Sequence, residues 1–124
     1  MLVDRGLAAA LEELAGRAAI PTTLDVVAPR VDPGLETAVS FVVTEALTNA
    51  AKHSGAAQAQ VRVRQEGPWL TAEVRDDGVG GARVGAGTGL LGLAQRVEGV
   101  GGRLVVDSPE GGPTVIRAEV PCIS

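Results

Sequence analysis

The chain has 124 residues, 45% of them apolar and 21% charged, with a net charge of −4; this suits one globular domain with a real core and leaves too little chain for two ordinary ones. No Lys/Arg run breaks the acidic balance, and Phe41 and Trp69 are the only aromatics, so neither a basic nucleic-acid surface nor a base-stacking platform is available. Cys122 is the only cysteine, which excludes an internal disulfide and suits a reducing cytosol; no apolar run is long enough to span a bilayer, and Met1 is not followed by a signal sequence.

In chain order, Asp4 is placed to cap a first helix whose apolar stripe is Leu7, Leu11 and Leu14. The stripe fades at Gly16, and Pro21 bars continuation. Leu24 to Ala28 reads as a short strand. Asp32-Pro33 opens a second helix, with Asp as cap and Pro in the first turn. It is expected to run to about Ser54, where Gly55 stops it. Ala59 to Arg64 alternates, Val61 and Val63 inward, Gln60, Arg62 and Arg64 outward. Glu66-Gly67-Pro68 turns the chain into a partner strand marked by Leu70, Ala72 and Val74. Trp69, just past that turn, is expected to cover the sheet edge. Asp76 to Thr88 is loop, and Leu90 to Val100 a helix closed by Gly101-Gly102. Leu104 and Val106 mark a further strand and Ser108 to Pro113 a turn. Ile116, Ala118 and Val120 mark a last strand, stopped by Pro121. This order predicts an α+β fold: a two-layer α/β sandwich, its sheet mixed and mostly antiparallel, with about three helices on one face. No linker divides the chain, so residues 1–124 are read as one domain.

The stretch FVVTEALTNAAKHS, Phe41 to Ser54, organises the rest. At about 100° per residue, Val39, Val43, Ala46, Leu47 and Ala50 form a core face. Glu45, Asn49 and Lys52 share another, which places an acid, an amide and a cation within about two turns. The same three residues also suit a solvated face with a helical ion pair. Further on, Asp76-Asp77-Gly78-Val79-Gly80-Gly81 leaves a strand end. A carboxylate there, with no side chains in the way, can accept a hydrogen bond from a buried ligand amine such as that of adenine. An Asp-Gly turn closing the strand is the plainer alternative. No G-x-x-x-x-G-K-[ST] occurs, which excludes a P-loop. Gly87-Thr88-Gly89-Leu90-Leu91-Gly92 fits G-x-G-x-x-G, with Asp107 about 20 residues on. The preceding strand ends near Asp76, too far from the first glycine for a dinucleotide fold. In either setting glycines let backbone N–H groups approach a phosphate at a helix N-terminus.

Taken in order, EALTNAAKH, DDGVGG, GTGLLGL and GGPT closely resemble the four nucleotide-binding boxes of the GHKL superfamily of ATPases and kinases. The closest likeness is to the catalytic ATP-binding domain of bacterial two-component sensor histidine kinases with a short lid. It covers nearly the whole chain, and LVDRGLAAALEEL resembles the start of that domain, just after the dimerisation helices. The resemblance implies a Bergerat-type fold, ATP and Mg²⁺ as cofactors, and transfer of the γ-phosphoryl group to a histidine on a separate dimerisation domain. By the same resemblance Asn49 would ligate Mg²⁺, and Glu45 would help hold the metal or orient the attacking group. Lys52 would offset phosphate charge with His53 beside it. Asp76 would take the adenine amine, Gly78 and Gly80 would make room for the base, and Thr114 would help hold the adenine side. Gly87, Thr88, Gly89 and Leu90 would flank the phosphates. The segment from Gly81 to Ala86 is short and has no aromatic residue, and Val79 stands where many relatives carry a polar or basic one. His53 is read as part of the nucleotide site, so the isolated chain is not expected to phosphorylate itself. The implied partners are ATP or ADP, the phosphoacceptor helices of a parent kinase and, indirectly, a response regulator; nucleic acid is not among them. The isolated domain is expected to be monomeric and cytoplasmic, within a homodimeric parent that can be membrane-anchored. Two rival readings are an anti-sigma-factor-type serine kinase of the same superfamily and a non-catalytic nucleotide-sensing module.

Overall fold

The computed structural model describes residues 6–27, 33–53, 55–79 and 90–122. Among them run α1 (Gly6–Arg17), β1 (Thr22–Val27), α2 (Pro33–Lys52), β2 (Ala59–Glu66), β3 (Trp69–Asp76), α3 (Leu90–Gly99), β4 (Arg103–Asp107) and β5 (Thr114–Pro121). The strands form one sheet in the order β1-β2-β3-β5-β4. β1 is parallel to β2, and every other neighbouring pair is antiparallel. The expected α+β sandwich, with a mixed sheet and three helices, is the fold observed.

Period-two alternation gives the sheet its two faces. Val61, Val63, Leu70, Val74, Ile116 and Val120 are buried in one cluster with the helix residues Leu11, Val39, Val43, Leu93 and Val97. Fully burying an aliphatic side chain of this size contributes roughly 1.5–3 kcal/mol, so this layer holds the helices down. Residues one position along each strand face the other way. There Arg103 reaches Glu119 at 2.7 Å and Arg117 reaches Glu73 at 3.8 Å, each pair directly opposite across neighbouring strands. All five core residues expected on α2 are buried, and Leu35, Ala38 and Val42 are buried with them. The buried face is wider than a single stripe because α2 packs against α1 and α3 as well as against the sheet.

The element ends differ where backbone pairing outlasts the apolar pattern. β1 starts at Thr22, β2 continues to Glu66, and β3 spans Trp69 to Asp76, because Glu66 pairs with Trp69 and Asp76 pairs with Ala59 and Thr114. α1 passes through Gly16 to Arg17, and Pro121 is the last residue of β5. Trp69 does not cover an edge: it opens β3, a central strand, and β1 and β4 are the edges. The expected caps Asp4 and Asp32, along with Ala28 and Ser54, lie outside the described residues. Among the described residues no helix is long and apolar enough to cross a membrane.

This connectivity collects several elements at one end of the sheet. α2 ends at Lys52, and after residues 53–58 β2 begins at Ala59. Ala59 pairs with Asp76 at the end of β3, and Asp76 pairs with Thr114 at the start of β5. At the opposite end α3 finishes beside the start of β4, whose Arg103 pairs with Glu119 late in β5. The first residue of α3, Leu90, is therefore directed back toward the Asp76 end.

Candidate functional site

Among the described residues three polar side chains are buried: Asn49 at 4%, Asp76 at 3% and Thr114 at 1% exposure. All three lie at the one end of the sheet just described, and burying polar groups costs free energy unless they are hydrogen-bonded. Asn49 stands in the last turn of α2, where its Nδ2 has no partner. Asp76 follows the inward phase of Leu70, Ala72 and Val74 along β3, which aims its carboxylate at the helix layer. Its Oδ1 accepts the Gly78 N–H at 2.8 Å. Thr114 lies opposite Asp76 on β5, and its hydroxyl is 2.6 Å from that of Ser108.

Two adjacent aspartates are set to opposite electrostatic tasks. Burial pushes the Asp76 carboxyl above the ordinary aspartate value; the Gly78 N–H opposes this and the neighbouring Asp77 charge adds to it. Asp77 has left the strand and is exposed. Its Oδ1 accepts the N–H groups of Ala57 at 2.8 Å and Gln58 at 3.1 Å. Those bonds, Gln58 first and then Ala57, hold its carboxyl below the ordinary value. The two environments separate a costly, buried carboxylate from a solvated structural one.

Glu45 is half-buried, and Lys52 and His53 are exposed at the end of α2. The His53 N–H donates to the Asn49 carbonyl at 2.9 Å, which keeps the helix closed beneath Asn49. Gly78 is buried directly beyond Asp76, and Val79, 65% exposed, accepts the Gly111 N–H at 2.7 Å. That bond ties the β4–β5 turn to the segment leaving β3. Leu90 is fully buried, so its side chain belongs to the core, and only its backbone faces the start of α3. Gly80, Gly87, Thr88 and Gly89 lie outside the described residues. A depression of about 360 Å³ opens at this end, lined by Gln58, Gln60, Arg75, Asp76, Gly78 and Pro113. Another, of about 550 Å³, lies around Trp69 and Arg103 at the far end, away from all three buried polar groups.

Among the described residues no cluster of three or more His, Cys, Asp or Glu side chains could hold a metal. The donor set suits a cation that takes one or two protein oxygens and completes its shell with water and phosphate, as Mg²⁺ does. Asn49, Asp76 and Thr114, expected at the site from the sequence, are the three buried polar side chains of the described residues; no part is expected there of Asp77 or Ser108. No local signal marks Asp77, whose side chain bonds N–H groups 19 and 20 residues away; the side-chain-to-backbone turn of this stretch is made by Asp76 with Gly78. Ser108 lies just past the end of β4, where the pairing of Asp107 with Val115 brings it to Thr114.

Residues 34–123 match the family described as histidine kinase-, DNA gyrase B- and HSP90-like ATPases. The oxygen sensor histidine kinase NreB of Staphylococcus carnosus (strain TM300) is 39% identical over 98 residues, which cover 76% of this chain and 28% of that protein. The blue-light activated histidine kinase of Erythrobacter litoralis EL346 superposes with a TM-score of 0.74 at 25% identity, over 94% of this chain and 39% of that one. The histidine kinase AdeS of Acinetobacter baumannii shares the fold, with a TM-score of 0.69 at 15% identity over 95% of this chain and 62% of that one. The chain therefore spans well under half the length of the first two relatives.

Proposed function

The chain belongs to the family of histidine kinase-, DNA gyrase B- and HSP90-like ATPases, and on that premise we propose that residues 1–124 form a catalytic domain that binds Mg-ATP. Its γ-phosphoryl group would pass to a histidine on a separate dimerisation domain of a two-component kinase. The observation that carries this reading is the convergence of Asn49, Asp76 and Thr114, the three buried polar side chains of the described residues, at one end of the sheet. Asn49 Nδ2 is buried without a partner and the Asp76 carboxylate is buried at a cost, while Thr114 is held by Ser108; each matches a need of the nucleotide.

Asp76 offers a buried acceptor to the exocyclic amine of adenine, and the buried Gly78 beside it leaves room for the base. Thr114, held by Ser108, presents its hydroxyl next to Asp76. Asn49 supplies an amide oxygen to Mg²⁺, and Glu45, one turn earlier on α2, stands beside it. When bound, the ion neutralises charge on the β- and γ-phosphates. Lys52 adds a second cation from the end of the same helix, with His53 at the rim. By the resemblance, Gly80 would make room for the base with Gly78, and Gly87, Thr88 and Gly89, which precede α3 in the sequence, would flank the phosphates. Catalysis on this plan is positioning and charge neutralisation, and the nucleophile comes from another domain. ATP supply places the work in the cytoplasm.

Calorimetric titration with ATP and GTP tests the reading. Wild type should bind ATP and prefer it to GTP, and Asp76→Ala should lose that preference, because a buried ligand donor left without its acceptor costs about 1–3 kcal/mol. Failure to bind ATP, or equal binding of both nucleotides by wild type, overturns it.

A further inference from the structure

We propose that Asp77 is the positioning residue of this site: its carboxylate fixes the end of α2, with Asn49 and Lys52, against the end of β3, with Asp76. This role presupposes a nucleotide at this end of the sheet, and it assigns a task to a side chain that touches neither base nor phosphate.

The geometry is a continuous hydrogen-bonded path. One oxygen, Asp77 Oδ1, accepts two successive backbone N–H groups, Ala57 at 2.8 Å and Gln58 at 3.1 Å. The Asp77 N–H donates back to the Gln58 carbonyl at 3.4 Å, so the contact is reciprocal. On the helix side, the chain reverses at Gly55, whose φ of +61° favours glycine. The Ala56 N–H then donates to the Ala50 carbonyl at 3.0 Å, and the His53 N–H to the Asn49 carbonyl at 2.9 Å. On the strand side, Asp76 is the next residue, anchored by its own bond to Gly78. Ala59, the residue after Gln58, pairs with Asp76 in the β2–β3 ladder, and the Asp77 carboxylate adds the tie that reaches back to Ala57 and Gln58, across sequence separations of 20 and 19 residues.

Asp77 is exposed and fills no part of the core. Its bonds hold the α2–β2 connection in place rather than the helix layer as a whole, which rests on the buried aliphatic cluster. Asn49 and Asp76 would grip opposite ends of one ligand, so a small shift between them would weaken binding more than it weakens the fold.

The test separates these effects with two substitutions. Asp77→Asn leaves an oxygen where Oδ1 stands, able to accept both N–H groups; Asp77→Ala removes it. Calorimetry with ADP and Mg²⁺ is run on wild type and both variants, with thermal melts in parallel. Asp77→Ala should fold and bind ADP about tenfold more weakly, while Asp77→Asn should stay within about twofold of wild type. Equal affinity in all three proteins, or equal loss in both variants, overturns the assignment. A second readout needs no ligand. In the nucleotide-free protein, the NMR signals of the Asn49 side-chain amide and of the Ala57 and Gln58 backbone amides should move in Asp77→Ala and not in Asp77→Asn. If wild type binds no ADP, the nucleotide reading falls. An unmoved Asn49 amide in Asp77→Ala separately sinks the positioning role. Should alanine prevent folding, Asp77→Ser, too short to reach both donors, takes its place in every arm.

Discussion

A side-chain amide with an unpaired end inside a protein costs free energy that a methyl group would not. Asn49 is such a group, with Nδ2 buried and unpartnered in the last turn of α2. Asn49→Ala should therefore cost the empty protein less than about 1 kcal/mol, while abolishing the part of nucleotide affinity that depends on Mg²⁺. Urea melts and titrations with and without Mg²⁺ measure both; an Mg²⁺ dependence equal to wild type would remove Asn49 from the metal site. Asp76 carries a related cost that pH reveals. Burial raises its folded-state pKa, so the folded protein keeps this proton to a higher pH than the unfolded chain does. The stability Asp76 contributes is then complete below the ordinary aspartate range and is lost as pH rises through the folded value. Asp77 acts in the opposite sense: its pKa is lowered by the Gln58 and Ala57 N–H groups, and its contribution is present above that range and lost on acidification. Asp76→Asn keeps an oxygen for Gly78 and removes the buried charge. It should raise the Tm of the empty protein at pH 7, and the gain should shrink as pH approaches about 4. A gain independent of pH would show that the charge is not its cause.

At the scale of elements, the corner between α3 and β4 leaves no room for a side chain. Gly101 has φ of +83°, and the Gly102 N–H donates to the Val97 carbonyl at 3.0 Å. A Cβ on Gly102 would overlap the Glu119 carbonyl and come within 2.8 Å of Val120 Cγ1. Strand pairing holds that carbonyl, so Gly102→Ala should destabilise by about 1–3 kcal/mol; a wild-type urea midpoint would show that the corner has slack. Sequence alone marked this corner as a Gly-Gly helix stop, and it marked most elements equally well. Leu7 and Leu11, or Val61 and Val63, announce their faces through local periodicity. Pairing over long separations has no such signature. Neither the parallel β1 at one edge nor the insertion of β5 between β3 and β4 could be read from strand patterns, and Trp69, expected at an edge because it follows a turn, opens a central strand. The candidate site was legible wherever a local phase set the outcome: Asp76 continues the inward alternation of β3. Asp77, identical in type and one residue on, takes its role from the α2–β2 connection, which only the folded chain brings to it. Asn49 was placed on a polar helix face; its burial follows from the neighbours that surround α2 on three sides.

For the molecule as a whole, the helices occupy one face of the sheet and the three buried polar groups gather at one end, where the γ-phosphate of a bound nucleotide would meet solvent or a partner. Phosphoryl transfer needs a nucleophile in line with the leaving oxygen. The chain has one histidine, His53. Its backbone N–H is bonded to the Asn49 carbonyl at 2.9 Å, and its side chain is exposed at the end of α2, one residue past Lys52. On the proposed site, a ring carried by that helix end would stand at the rim, out of line with a phosphate gripped by the same helix. The 124-residue chain should therefore bind ATP and fail to label itself. A cognate domain of dimerisation helices with an acceptor histidine, added in trans, should become labelled. The reaction should be slow, because the effective concentration of a tethered partner, in the millimolar range for short flexible linkers, is lost. Radiolabel from γ-labelled ATP, with acid and base lability to identify phosphohistidine, provides the measurement. Stoichiometric labelling of this chain alone, removed by His53→Ala, would make His53 the acceptor and overturn the separation of nucleotide site from nucleophile.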